Sequence, residues 1–520
     1  MWTGRGPHRE LKLLVQLFER AGEAGLDPAD YDTPQLTWLL EEARRGGPGG
    51  RRNRPLVLAR LDVRATYDCL RMARHLCFGR VPRSILDPDW TPSTRTLDWR
   101  ETLKRCLDHP ARELAALEPP HPGYRRLRDV LALYRWVSAG GGWPEVPPGP
   151  PLVLGDRGPR VALLARRLEA SGDLPFTMRD TVFDRRMVQA VGDYQTRLGI
   201  PRSGILGEAT RAALNVPVEA RIHQMALNLE RWRWLPDQLG EHRVEINIPA
   251  YRLELKRGER VTRAMRVVVG RRRSPTPVFS DQLTYIELNP AWTLPPSVVI
   301  KEIVPALKRE HDYLEKNHMF VVSIAGAQRD TVDPRHVPWK DAAADTFHYL
   351  VIQEAGPDNP LGRIKLMCPN EYDVYLHDTP QRSRFSVAVR DYSHGCVRVE
   401  EALELADSLM AGAPGDTALI DTLAVSGEWK RMRLQAPVPV HFLYWTAWAD
   451  SAGRMNFRDD LYGLDARLDE ALRRHTTAQF ALNPGVELSP FWVAAEARMR
   501  VAAARLAAAK AAREISARSP

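Results

Sequence analysis

At 520 residues the chain is too long for one hydrophobic core, so about two to four domains are expected. Apolar residues make up 44% and aromatics 8%, which excludes disorder throughout. Lys and Arg outnumber Asp and Glu by 74 to 65, a surplus that suits anionic surroundings, but no long basic run marks a nucleic-acid arm.

Leu11, Leu14, Val15 and Phe18 recur at helical spacing, interrupted by Lys12, Glu19 and Arg20. This reads as an amphipathic helix and not as a secretory signal, which needs a continuous apolar region. The expectation is either a cytoplasmic protein or a true start upstream. No segment reaches the roughly 18 apolar residues that span a bilayer. Helical spacing continues through Leu36, Leu39, Leu40 and Ala43 up to the break at 46–50, and residues 1 to about 140 read as helical.

The stretch 140–151 holds five prolines and reads as a linker. A small helical unit follows over about 152–215, with stripes at Val161, Leu164, Ala165, Leu168 and at Met187, Ala190, Val191, Tyr194. A third short helix is expected over 206–214. From Val244 the period changes to two: Val244, Ile246, Ile248 and then Tyr251, Leu253, Leu255 alternate with polar residues, as half-buried strands do. Further strands are expected at 266–269, 284–288, 348–352, 363–367, 372–376 and 417–420. Ile300, Ile303, Val304 and Leu307 mark an inserted helix. The polar region 297–346, rich in His, Asp and Pro, reads as a strand-poor insertion of the lid kind. A hairpin is expected around Ser451-Ala452-Gly453, and the Ala- and Arg-rich end reads as a lone helix or tail.

Five cysteines (69, 77, 106, 368 and 396) cannot all pair, and no C-x-x-C supports a zinc or redox motif. Cys69, Cys77 and Cys106 lie in apolar or helical contexts that suit core residues. The chemistry concentrates elsewhere. His377 ends a strand-like run, and fifteen residues separate it from Ser393-His394-Gly395-Cys396-Val397-Arg398. A free thiol has a pKa near ~8.5 and is mostly protonated at neutral pH. An adjacent imidazole can take that proton and later return one to a leaving amine. Gly395 leaves room for backbone N–H groups to approach a developing oxyanion. Each residue also has a plainer reading: a histidine at a strand end is ordinarily a hydrogen-bonded surface residue, and a Gly-Cys pair is ordinarily a turn. Metal ligation by His377, His394 and Cys396 lacks a fourth ligand at regular spacing, so no metal is expected.

The H-x15-S-H-G-C pattern resembles the signature of the YkuD-type L,D-transpeptidase catalytic domain. It departs at Arg398, where many members carry Asn. Cys-Val-Arg-Val with His-Asp-Thr-Pro upstream is similar to the large Gram-negative, YcbB-like subgroup. So are the segments 228–236, 289–292, 369–375 and 457–460. The 152–215 unit resembles a three-helix peptidoglycan-binding domain at Phe183-Asp184, Ala190-Val191, Tyr194-Gln195, Gly204, Gly207, Thr210 and Leu214-Asn215, with Ser203 where Asp is common.

The resemblance implies a multidomain α+β chain. A helical scaffold would occupy 1–145, with 216–240 and 425–475 completing it. The peptidoglycan-binding-like unit would be 152–215, and a mostly β catalytic domain 243–424 would carry a capping lobe at about 297–346. The segment 476–520 would be a tail. The implied activity is formation of 3-3 peptidoglycan cross-links through an acyl-thioester on Cys396, with no cofactor. His377 would be base and then acid, its ring held by the carbonyl of Asp378. Gly395 and Cys396 would form the oxyanion hole, His394 and Ser393 would shape the loop and contact substrate, and Arg398 would be either a substrate carboxylate partner or a structural ion-pair donor. The partners implied are a tetrapeptide donor stem and a diaminopimelate acceptor stem in the periplasm, with carbapenems as covalent inhibitors and no nucleic acid. Hydrolysis by an L,D-carboxypeptidase, lipoprotein attachment or release, and non-catalytic wall binding remain alternatives.

Overall fold

In a computed structural model, residues 2–3, 6–7, 10–45, 54–85, 95–175, 182–325, 329–343, 347–410 and 416–477 are described. The break expected at 46–50 and the tail from 478 onward lie outside the described residues.

The N-terminal part is helical, with α1 (Glu10–Glu19), α2 (Thr33–Arg45), α3 (Arg54–Phe78), α4 (Trp99–Asp108), α5 (Pro110–Ala115) and α6 (Pro122–Ala139). The apolar stripes expected of α1 and α2 are all buried, and they close on Leu61, Ala65, Cys69 and Cys106 in one core. Each stripe repeats every three to four residues, so one face of each helix leaves water together. The segment 140–151 carries no helix or strand, yet it is held down: Val146 is fully buried and exchanges two 2.9 Å hydrogen bonds with Asn215. The three short helices α7 (Pro159–Ala170), α8 (Arg185–Arg197) and α9 (Glu208–Leu214) form around their own core, with both expected stripes inward.

Helix α10 (Val218–Trp232) joins the units. Its Met225, Leu229 and Trp232 share a core with Leu127, Leu131 and Tyr134 of α6 and with Trp445, Ala447, Met455 and Phe457. The motif at 228–236 is a set of buried ties. Glu230 accepts from Arg233 at 3.0 Å and from the backbone of Arg80 and Val81, while Arg231 pairs with Asp465 at 2.5 Å. Asn228 is fully buried, donating to Thr446 Oγ1 at 2.7 Å and accepting the Thr446 N–H at 3.0 Å.

The catalytic region is built on strands β1 (His242–Asn247), β2 (Arg252–Arg257), β3 (Arg260–Gly270), β4 (Ser280–Leu288), β9 (Ile364–Met367), β10 (Leu376–His377), β11 (Asp391–Ser393), β12 (Val397–Val399) and β13 (Lys430–Leu443). They lie in the order β11-β3-β12-β10-β9-β4-β13-β1-β2, and β2 also pairs with β3, so the sheet closes on itself. Closure covers edges that would otherwise be left unpaired. The long strand β13, beyond the 243–424 expected from sequence, pairs with both β4 and β1 inside this sheet. The run 417–420, expected as a strand, instead belongs to a helix over Asp416–Ser426. Ile420 and Ala424, four apart, are buried in the sheet's core while Leu419 and Val425 are exposed, and four residues are too few to show that period.

The insertion also differs from its strand-poor expectation. Strands β5 (Trp292–Thr293), β6 (Met319–Ser323), β7 (Asp330–Val332) and β8 (Tyr349–Gln353) form a separate sheet in the order β5-β8-β6-β7. The lobe therefore takes in residues on both sides of 297–346, including the 348–352 run. Val299, Ile303, Leu314, Val321 and Val351 give it a core of its own. Its helical run passes through a π-helical turn at Val299–Ile303 just before Pro305, which has no N–H to bond back along the helix. The hairpin expected around 451–453 forms from β14 (Ala447–Ala449) and β15 (Met455–Phe457). Among the described residues no helix is long and apolar enough to cross a membrane.

Replacing Asn228 by Ala leaves the buried Thr446 N–H without its acceptor, while the Thr446 hydroxyl keeps its bond to Asp465. The expected cost is about 1–3 kcal/mol of stability, read as a fall in Tm on thermal denaturation. An unchanged Tm would mean that α10 is not tied to the hairpin through this residue.

Candidate active site

In neighbouring strands β9, β10 and β12, Leu366, Leu376 and Val397 point into the core. The alternate residues point to the other face. Lys365 pairs in register with His377, and His377 with Arg398, so the three stand side by side. Glu287 of β4 and Arg431 of β13 extend the row. Cys396 lies two residues before Arg398, on the same face, beside Tyr375, whose carbonyl accepts the Val397 N–H at 3.1 Å. Cys396 and His377 thus lie on one face of a parallel strand pair, with Cys396 two residues before the register partner of His377.

His377 is buried, and its Nδ1–H donates to the Asp378 carbonyl at 2.6 Å, leaving Nε2 as the acceptor. Burial, reinforced by the Arg398 cation, pushes its pKa down to about 3, so the imidazole is neutral across the physiological range. The other four cysteines are buried; Cys396 alone is partly exposed. Its thiol donates to the Asp373 carbonyl at 3.6 Å. Burial raises its pKa, while hydrogen bonds at Tyr375 and the Lys365 ammonium pull it down.

The Asp373 carbonyl is aimed by a tight loop. Asn370 accepts the N–H groups of Tyr372 and Val374 at 3.0 and 3.2 Å and donates to the Val374 carbonyl at 2.7 Å. Asp373 itself takes a left-handed conformation, φ +52°. Lys365 stands over the Tyr375 ring, 4.1 Å from its centroid, and 3.9 Å from Glu287, which Arg431 also contacts at 2.7 Å.

The loop carrying Cys396 is held from within. Ser393 Oγ donates to the Cys396 carbonyl at 2.5 Å and accepts the Gly395 N–H at 3.1 Å. The Gly395 amide is therefore engaged, whereas the Cys396 amide has no such partner among the described residues. Gly395 sits at φ +129°, where a side chain is strained. Its carbonyl accepts from Thr276 Oγ1 at 2.7 Å. His394 meets the capping lobe, bonding Glu302 at 2.8 Å and contacting Arg271. Arg398 donates to neutral Gln381 at 2.9 Å and has no carboxylate partner among the described residues. The Asp378 carboxylate faces away from the sulfur's partners, taking the Arg363 N–H at 3.0 Å and Arg382 at 3.1 Å. No group of three or more His, Cys, Asp or Glu among the described residues could hold a metal.

Residues 241–419 match the family model of the YkuD L,D-transpeptidase catalytic domain. The chain carries an L,D-transpeptidase catalytic domain. Residues 1–131 match a scaffold domain and 157–214 a peptidoglycan-binding domain. A Haemophilus influenzae protein named "Putative L,D-transpeptidase" is 32% identical over 254 residues, 49% of this chain and 50% of that protein. The chain thus spans about half the length of this curated relative. Among solved structures, an L,D-transpeptidase from Stackebrandtia nassauensis is 12% identical, covering 58% of this chain and 96% of its own, with a TM-score of 0.22. One from Xylanimonas cellulosilytica is 17% identical, covering 57% and 100%, with a TM-score of 0.19.

In the L,D-transpeptidase domain, Lys365, Tyr375, Glu302 and Thr276 escaped the sequence reading. Tyr375 lies two residues before His377, so strand alternation alone could have placed it on the same face. Lys365 needs the strand register, and Glu302 and Thr276 come from distant segments; nothing local marks them.

With His377 neutral and the thiol pKa raised, no resting thiolate–imidazolium pair is expected. Below the thiol pKa the thiolate fraction grows about tenfold per pH unit. Iodoacetamide labelling of Cys396 should therefore climb steadily with pH from 6 to 9. A plateau starting near pH 6 would show that the pair is charged at rest.

Proposed function

We propose that the protein forms 3-3 cross-links in peptidoglycan, with Cys396 as nucleophile and His377 as general base and acid. The carrying observation is the imidazole pinned through Nδ1 to the Asp378 carbonyl, one strand from the nucleophile and on the same sheet face. His377 Nε2 takes the thiol proton as Sγ attacks the carbonyl carbon of the third residue, a diaminopimelate, in a tetrapeptide stem. The C–N bond to the terminal D-Ala breaks, and that proton leaves on the D-Ala amine. The acyl group now sits on sulfur as a thioester. A side-chain amine of a second stem attacks it, the C–S bond breaks, and the proton lost by that amine passes through His377 Nε2 to the departing sulfur.

One amide replaces another, so no cofactor or energy source is required. The Cys396 amide is the better-placed oxyanion donor, because Gly395 has already given its N–H to Ser393. Arg398, paired only with a neutral amide among the described residues, is suited to a substrate carboxylate. The peptidoglycan substrate implies an extracytoplasmic, periplasmic setting. Carbapenems, whose strained lactam carbonyl mimics the scissile amide, should acylate the same sulfur.

Incubation with a carbapenem should add one inhibitor mass to the intact protein, and Cys396→Ala should abolish the adduct. Purified sacculi treated with the enzyme should gain 3-3 dimers. Trimmed tripeptides without dimers would instead indicate hydrolysis by an L,D-carboxypeptidase, and Cys396→Ala protein that still cross-links would sink the mechanism.

A further inference from the structure

A second cavity, of about 430 Å³, lies behind the nucleophile loop. Two of its wall segments touch that loop directly. Thr276 bonds the Gly395 carbonyl, and Tyr372 precedes Asp373, whose carbonyl holds the Cys396 thiol. The capping lobe meets the loop at a different residue, His394, and no lobe residue among the described ones lines the cavity.

Its lining has a one-sided chemistry. Arg83, Arg231, Arg272 and Arg467 line it, and no Asp or Glu does so among the described residues. Arg231 is answered by Asp465 outside the lining, at 2.5 Å, whereas exposed Arg272 has no carboxylate partner among the described residues. Between the guanidinium groups stand Tyr372, Tyr462, Trp234 and apolar side chains. An apolar pocket of this size with a few converging charged groups is the usual form of a ligand site. Planar guanidinium groups favour carboxylates.

We infer that this cavity binds a carboxylate-bearing peptide, the second stem that brings the attacking amine to the thioester. Its identity as a stem rests on the acyl-transfer reading; the preference for an acidic peptide rests on the lining alone. An acceptor seated here approaches from the Thr276 side while the lobe covers the His394 side, so both stems can occupy the enzyme together.

The test is calorimetric titration of the full chain as Cys396→Ala with the tripeptide L-Ala-γ-D-Glu-diaminopimelate, and with the same tripeptide amidated at its carboxylates. Arg272→Glu should weaken binding of the acidic tripeptide at least about tenfold, Arg272→Lys should weaken it less, and rising salt should weaken it in the parent. The amidated tripeptide should bind the parent poorly. Arg272 is exposed, so both variants should keep the parent's circular dichroism and Tm, and Arg467→Glu gives an independent second position. Equal affinity in parent and Arg272→Glu, equal affinity for the amidated peptide, or no binding to the parent would each overturn the inference. Because Cys396 is absent from this experiment, a failure of the thioester chemistry shows only in the carbapenem and sacculus assays and leaves this result separate.

Discussion

The site depends on one short parallel pairing, Leu376 with Val397 and His377 with Arg398. A slip of one residue in that register would turn His377 into the core and bring Leu376 to the polar face. The pairing is only two residues long, and its stability comes from its neighbours. Val397, Leu376 and Leu366 are fully buried in a shared core, and β9 and β3 flank the pair on either side. Hydrophobic burial on one face thus holds catalytic register on the other.

The same arrangement decides the charge state. A thiol and an imidazole removed from water both favour their neutral forms. Positive charge is nevertheless present: Lys365 and Arg398 flank His377 in the row and bear on it, as Lys365 does on Cys396. Burial first, and these cations after it, hold the imidazole neutral, while the Lys365 charge favours the Cys396 thiolate. Glu287 limits the effect by answering Lys365 and Arg431.

Much of this was legible in the sequence. The helical stripes of α1, α2, α7 and α8 and the alternation in β1 and β2 have clear periods and lie as expected. Cys396 and His377 stood out because their motif is local and chemically unusual. What escaped had physical causes. The run 417–420 is too short to tell a strand from a helix. The lobe's sheet joins Trp292–Thr293 to Tyr349–Gln353 across more than fifty residues; the run 348–352 reads as a strand, but the sheet's other strands at 292–293, 319–323 and 330–332 are too short to show a period. Lys365 reaches the site only through register. Asn370 belonged to a motif visible in sequence, but its task, bending the chain so that a carbonyl faces the sulfur, appears only in three dimensions.

The motifs far from Cys396 acquire a common meaning from the same geometry. Asn228 and Glu230 fasten α10 to Thr446 and Arg80; the Thr446 hydroxyl donates to Asp465, whose N–H donates to Asp460, and Asp460 accepts from Tyr444. Tyr444 in turn donates to Asp460 and accepts the Tyr462 N–H at 2.7 Å, and Tyr462 donates its hydroxyl to the Gly270 carbonyl. Gly270 gives its N–H to Thr276, which holds Gly395. An unbroken chain of hydrogen bonds thus runs from α10 to Gly395, the residue before Cys396. The scaffold is then more than a carrier: it fixes the wall on which the loop rests, while the lobe meets the same loop through Glu302 and His394.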